Sequence, residues 1–173
     1  MYPLPYKDID ALITNTPDVT LCVFSADCIP VLIADEKNKA VGACHCGWRG
    51  TYKGLAALTV MKLKELYNSN PKDLKIVIAP GICKKCYEVS KELYIDFKEK
   101  FPFANNNDCM ENKDGKFYLN LPLINKKILE DIGVLSENIY VSDMCTCCNS
   151  NLLHSHRATD GKRGIMGHFI GIK

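Results

Sequence analysis

Apolar residues fall into short runs separated by turn-forming residues, and the periodicity inside each run predicts its element. Residues 19–25 read as a strand, and residues 30–35 as a second, wholly apolar one. Glu36-Lys37-Asn38-Lys39 is a polar turn into a third strand of small residues, 40–45. Gly47 and Gly50 then interrupt the chain before a helix over 51–68, in which Ala56, Val60, Leu63 and Tyr67 recur at helical spacing while Lys62 and Glu65 point away. Residues 75–79 predict a strand, 90–100 a helix and 116–119 a short strand. Asn120 and Pro122 open a helix that stops at Gly133, where glycine suits a left-handed cap. Strands over 139–142 and 165–172 enclose a loop rich in Cys and His. Helices and strands mix without a strict strand–helix–strand rhythm, so the pattern predicts an α+β fold, a mixed sheet packed with helices, over a single domain of residues 1–173.

Composition narrows the classes of function. Of 173 residues, 47% are apolar and 24% charged, as in a globular domain, and the net charge of +2 supplies no field for nucleic acid or an anionic membrane. The most apolar stretch, 19–34, contains Asp27 and Pro30 and does not suit a bilayer. The first eight residues show no basic segment followed by an apolar run, so no secretory leader is expected. Ten cysteines are then expected to be reduced in the cytoplasm, where thiols serve metals or catalysis more often than disulfides.

Candidate chemistry concentrates in three places. The first is Ser25-Ala26-Asp27-Cys28-Ile29-Pro30 with Cys44-His45-Cys46-Gly47-Trp48-Arg49-Gly50. Cys28 lies between two strands and His45 closes the next, so a thiolate and an imidazole can meet at one sheet edge. Such a pair binds zinc or acts as nucleophile and base; the bland alternative is a buried thiol and a satisfied histidine. The second place is Cys83-Lys84-Lys85-Cys86 and the third Cys145-Thr146-Cys147-Cys148. Two Cys-x-x-Cys halves can complete a tetrahedral metal cage, or they can be incidental loop thiols; the redox use of such a motif wants a thioredoxin-like context that is absent. The tail holds His154, His156, Arg157 and the Gly-flanked Lys162-Arg163, a turn suited to phosphate or simply to solvent. Only three arginines occur, Arg49, Arg157 and Arg163, and each sits in a Gly-flanked or His-adjacent motif.

The run from Asp10-Ala11-Leu12-Ile13-Thr14 through Ser25-Ala26-Asp27-Cys28-Ile29-Pro30 to Cys44-His45-Cys46-Gly47-Trp48-Arg49-Gly50 resembles the signature of the laccase-domain polyphenol oxidase family. The likeness continues through Ala79-Pro80-Gly81, Tyr87-Glu88-Val89, Asp143-Met144-Cys145-Thr146, Ser155-His156-Arg157 and Gly161-Lys162-Arg163-Gly164. The resemblance implies a mixed-sheet fold related to that of cytotoxic necrotizing factor-like cysteine hydrolases. It also implies purine nucleoside phosphorylase activity on adenosine, inosine and methylthioadenosine, with adenosine deaminase activity. A Cys and two His form the family's metal centre; Cys28 and His45 match two of them, and zinc, with copper as an alternative, is the implied metal. Arg49, Arg157 and Arg163 are the residues available to hold phosphate.

The remaining family histidine lies in a Gln-Val-His segment upstream of Asp10-Ala11-Leu12-Ile13-Thr14, and this sequence contains no such segment. An N-terminally truncated, and therefore impaired, active site is the expectation. Two other classes stay open: a metal-independent Cys28–His45 hydrolase or amidase acting on cell-wall peptides, and a non-catalytic zinc module built on Cys83, Cys86, Cys145 and Cys148. Four histidines are too few for a multicopper oxidase set.

Overall fold

In the computed structural model, which describes residues 9–173, the apolar run after Cys28 forms the central strand of a five-stranded sheet. The strands are β1 (Ala11–Thr14), β2 (Thr20–Ser25), β3 (Ile29–Asp35), β4 (Ala40–Cys46), β5 (Lys75–Ile78), β6 (Glu88–Val89), β7 (Met110–Lys113), β8 (Lys116–Leu119), β9 (Ile139–Val141) and β10 (Met166–Gly171). The sheet runs β1-β4-β3-β5-β9; β5 and β9 are parallel and the other pairs antiparallel, so it is mixed. β10 pairs with β2, and β6-β8-β7 form a separate small sheet.

Both faces of the sheet are covered, which is why β3 reads as continuously apolar. On one face, Ile29, Val31 and Ile33 join Ile76 and Ile78 of β5 in a core with α2 (Leu55–Tyr67), α3 (Lys91–Lys100) and α4 (Leu121–Asp131). Val60 and Leu63 of α2, Phe97 of α3, and Ile124 and Leu129 of α4 are fully buried there. On the other face the β2–β10 ribbon packs Leu21 and Val23 against Val41 and Ala43. No helix among the described residues is long and apolar enough to cross a membrane.

The structure corrects the sequence reading in three places. The helix expected over 51–68 is two helices, α1 (Trp48–Tyr52) and α2, because Gly54 adopts φ +70 and a left-handed residue cannot continue a right-handed helix. β1 is a true edge strand of four residues, too short for its alternation to stand out. β6 and β7 also escaped the pattern: one has two residues and the other is largely exposed. The opening segment through Asp8 lies outside the described residues. The remaining elements match to within a residue or two, with Ser90 capping Leu93 N–H at 3.2 Å and Asn120 capping Leu123 N–H at 3.3 Å.

Candidate active site and thiol cluster

One end of the sheet gathers the chemistry, and strand register explains how. Ile29 lies opposite Cys46, so the next step along the antiparallel pair sets Cys28 across from Gly47. A methyl group at Gly47 would come within 2.9 Å of Cys28 Sγ and 3.8 Å of His45 Cε1; the glycine therefore leaves room for the thiol beside the imidazole. On the other side of β4, Ala11 pairs with Cys44, and continuing that register brings Asp10 to His45. His45 N–H donates to Asp10 O at 2.8 Å, and Asp10 Oδ1 lies 3.1 Å from His45 Nδ1. The imidazole is thereby oriented by a carboxylate at Nδ1, with the Cys28 thiol beside the ring. The Cys28 side chain raises the His45 pKa, burial opposes it and Asp10 adds to it, and the result is about 9.

Asp27 organises the turn before Cys28. Its backbone is left-handed at φ +84, an uncommon state for a non-glycine residue. Four contacts hold it there. Its carbonyl accepts from Ile82 N–H at 2.9 Å, and its buried carboxylate accepts from Thr146 Oγ1 at 2.6 Å and Arg157 N–H at 2.7 Å. Gly81 lies against the same turn, with a methyl there only 3.1 Å from Asp27 O. Asp27 thereby ties the turn before Cys28 to two distant loops.

Arg157 reaches back across this edge, donating from Nη1 to Cys86 O at 2.8 Å and from Nη2 to Glu88 O at 3.1 Å, with its guanidinium 5.5 Å from the Tyr87 ring centre. Arg49 stacks 4.1 Å above Trp48. Burial pushes the Tyr87 phenol up to about 12; the charge of Cys28 adds to this, while Arg157 and Arg49 oppose it. A depression of about 440 Å³ beside this tyrosine is lined by Trp48, Tyr87, Glu88 and Arg157 among others. Tyr87 and Asp10 were legible only as motif letters, because nothing in their local spacing signals a role at the Cys28 edge.

Other expected residues lie elsewhere. Arg163 is exposed and donates from Nη1 to Gly164 O at 3.3 Å, apart from the groups around Tyr87. The rings of His154 and His156 pack beside Gly164 and Gly161. Among the described residues, no third His, Cys, Asp or Glu groups with Cys28 and His45 at ligand distance. The two Cys-x-x-Cys segments do meet: the Sγ atoms of Cys83, Cys86, Cys145 and Cys148 all lie within 4.8 Å of one another. All ten cysteines are free thiols.

These features match a known family over nearly the whole sequence. Residues 3–173 fit the multi-copper polyphenol oxidoreductase laccase profile. The chain belongs to this laccase-domain family. Purine nucleoside phosphorylase YlmD of Bacillus subtilis is 36% identical over 172 residues, covering 99% of this chain and 62% of that protein. The crystal structure of YlmD from Geobacillus stearothermophilus superposes with a TM-score of 0.89 at 33% identity, over 95% of this chain and 61% of that one. Bacillus licheniformis hypothetical protein YfiH gives the same TM-score at 36% identity, with 95% and 61% covered. The chain therefore spans about three-fifths of the length of these laccase-domain relatives.

Proposed function

We propose that this laccase-type domain, residues 1–173, carries the centre of a zinc-dependent purine nucleoside phosphorylase acting on adenosine, inosine and methylthioadenosine in the cytoplasm, with adenosine deaminase activity at the same centre. The observation that carries this reading is the convergence of Cys28, His45, Tyr87, Arg49 and Arg157 at one sheet edge. The donor set suits zinc: Cys28 offers sulfur and His45 its Nε2, while Asp10 holds Nδ1 as carboxylates do behind metal-bound imidazoles. The third ligand of such a centre would be the family's Gln-Val-His histidine. The reading also includes kinship with the cytotoxic necrotizing factor-like hydrolase fold, supported by a Cys and His presented together at a sheet edge.

Zinc bound there supplies a Lewis acid that polarises an oxygen of the reacting groups. In phosphorolysis, a phosphate oxygen bonds to the ribose anomeric carbon as the bond from that carbon to the purine nitrogen breaks. The electron pair leaves with the purine, which takes up a proton. Arg157 and Arg49 neutralise the phosphate, with the paired donors of a guanidinium suited to its oxygens. The Tyr87 phenol keeps its proton through neutral pH and donates a hydrogen bond to the nucleoside in the depression beside it. In deamination, water adds at the purine carbon bearing the amine and ammonia departs.

The test follows adenine or hypoxanthine release from nucleoside and phosphate. The chain supplied with zinc is expected to show weak or no release, and the chain joined to the Gln-Val-His segment of a relative robust release. Equal activity in both forms would overturn the external ligand, and activity surviving Cys28→Ala would overturn the centre itself. One observation favours a second reading, a metal-independent Cys–His hydrolase of cell-wall peptides: the Cys28 thiol lies beside the His45 imidazole, whose pKa it raises. Cleavage of such peptides in the presence of a chelator, blocked by alkylating Cys28, would decide for it.

A further inference from the structure

We propose that Cys83, Cys86, Cys145 and Cys148 bind one structural zinc ion, and that this ion clasps together the two loops that hold Asp27 and Arg157 in place. The site is separate from Cys28 and His45, and the inference stands whether or not the phosphorylase reading does.

The topology builds the site. Parallel β5 and β9 continue beyond their ends through a bridge between Gly81 and Cys145, with Thr146 N–H donating to Gly81 O at 3.1 Å. That places the segment after Gly81, which carries Cys83 and Cys86, against the turn that carries Cys145 and Cys148. Cys83 Sγ and Cys86 Sγ lie 4.0 and 3.4 Å from Cys148 Sγ. A tetrahedral ion with zinc–sulfur bonds of about 2.3 Å needs sulfurs about 3.8 Å apart. The spread of the four sulfurs brackets that edge length. In each half the two cysteines are three residues apart, the usual spacing of structural zinc ligands.

Backbone N–H groups already serve one of the sulfurs. Cys145 Sγ accepts from Cys83 N–H at 3.2 Å and from Cys148 N–H at 3.4 Å. Donors aimed at a sulfur favour its thiolate form, which is the form that ligates. Four thiolates around a dication leave an excess of two negative charges. Lys84, Lys85 and Lys126 line the adjoining groove of about 780 Å³. All-thiolate ligation in a closed, four-coordinate set describes a structural zinc and leaves no open position for substrate.

The clasp reaches the active edge through short connections. Thr146, between two of the cysteines, is fully buried and donates to Asp27. The carbonyl of the ligand Cys86 accepts from Arg157, whose own N–H donates to Asp27. Ile82, beside Cys83, donates to the Asp27 carbonyl. Loss of the ion would free both loops and with them the arginine and the strained turn before Cys28.

The experiment measures metal content per chain by elemental analysis on the purified protein, with X-ray absorption at the zinc edge. In a Cys28→Ala/His45→Ala double variant, where the other centre holds none, the expectation is one zinc with four sulfur neighbours at about 2.3 Å, lost when Cys86→Ser or Cys148→Ser is added. Cobalt added to the metal-stripped wild-type chain should give the visible absorption of a tetrahedral tetrathiolate site at one equivalent, which needs no variant to fold. Hydrogen exchange should then report faster exchange at the amides of Ile82, Thr146 and Arg157 after chelation, and recovery when zinc returns. Zinc lost with Cys28 and His45 but kept without Cys148 would overturn the assignment. So would iron in place of zinc, or disulfides among the four cysteines in protein prepared without oxidant. Zinc bound as described, with exchange at those three amides unaffected by its removal, would overturn the clasp.

Discussion

Cys28 and Cys145 occupy the same end of one sheet, yet their surroundings differ in the property that separates an open metal centre from a closed one. Around Cys145, three further thiols lie within ligand distance, and backbone N–H groups serve the sulfur. Around Cys28 there is one imidazole, a glycine that keeps the space between them clear, and beyond it two arginines and a tyrosine. A closed four-sulfur set spends all its coordination on the protein, whereas a partial set flanked by cations and a depression has positions to offer a substrate. Thiol density is therefore a poor guide to reactivity here. The sulfur-rich region suits holding loops together, and the sulfur-poor one suits chemistry.

The largest expected effect tests that division through stability. Stripping metal from the four-cysteine cluster, by chelator or by Cys86→Ser, should lower the Tm by roughly 8–16 °C, corresponding to about 4 kcal/mol for a ligand present at a thousand times its Kd. Calorimetry in which the chelator leaves the Tm unchanged would erase the contrast. The second effect concerns Gly47. Gly47→Ala sets a methyl 2.9 Å from Cys28 Sγ and displaces the thiol. In a chain joined to the Gln-Val-His segment of a relative, phosphorolysis should fall about a hundredfold while the Tm moves little; undiminished turnover would show that the thiol's position does not matter. Asp10→Asn removes the carboxylate behind His45, and zinc affinity at the Cys28 centre should drop by about ten- to a hundredfold with no change at the four-cysteine cluster. Competition with a chromogenic chelator reads both sites, and equal losses at the two would mean they are not independent.

The smallest effect is a pH dependence. In metal-stripped protein the folded-state pKa of His45 is raised to about 9 from an ordinary 6.5, chiefly by Cys28. A raised pKa means that the folded state binds the proton more tightly than the unfolded one. The resulting stability is fully present below about pH 6.5 and is lost as pH rises through about 9. The imidazole is 32% exposed, so screening reduces the contribution to on the order of 1–2 kcal/mol. Denaturant titrations at pH 6 and pH 10 should show that loss in the wild type, and a smaller one in Cys28→Ala.

Strands β2 to β5 were legible because their apolar runs are short and bounded by turn residues. Helices α3 and α4 were legible from their caps and periodicity. Gly54 was not read as a break, since a glycine inside a periodic pattern shows its backbone angle only in the fold. Cys28, His45 and the cysteine pairs stood out as residue types able to ligate or react at strand ends and at three-residue spacing, with buried or incidental thiols as the alternative. Arg163, singled out on the same reasoning, turns toward solvent and its own neighbour.

Sequence alone thus determined which residue types were available for chemistry and which runs would be buried, since both follow from local composition and period. Tertiary structure decided which of them meet. Gly81 and Cys145 are bridged only because β5 and β9 run parallel, and that bridge brings together cysteine pairs 62 residues apart. Asp10 reaches His45, and Gly47 faces Cys28, because of a register set by burial of the apolar side chains of β3 and β4, and a slip of one residue would turn those side chains to the opposite face. Pairing between strands distant in sequence is fixed by the core they share, and no local pattern records it.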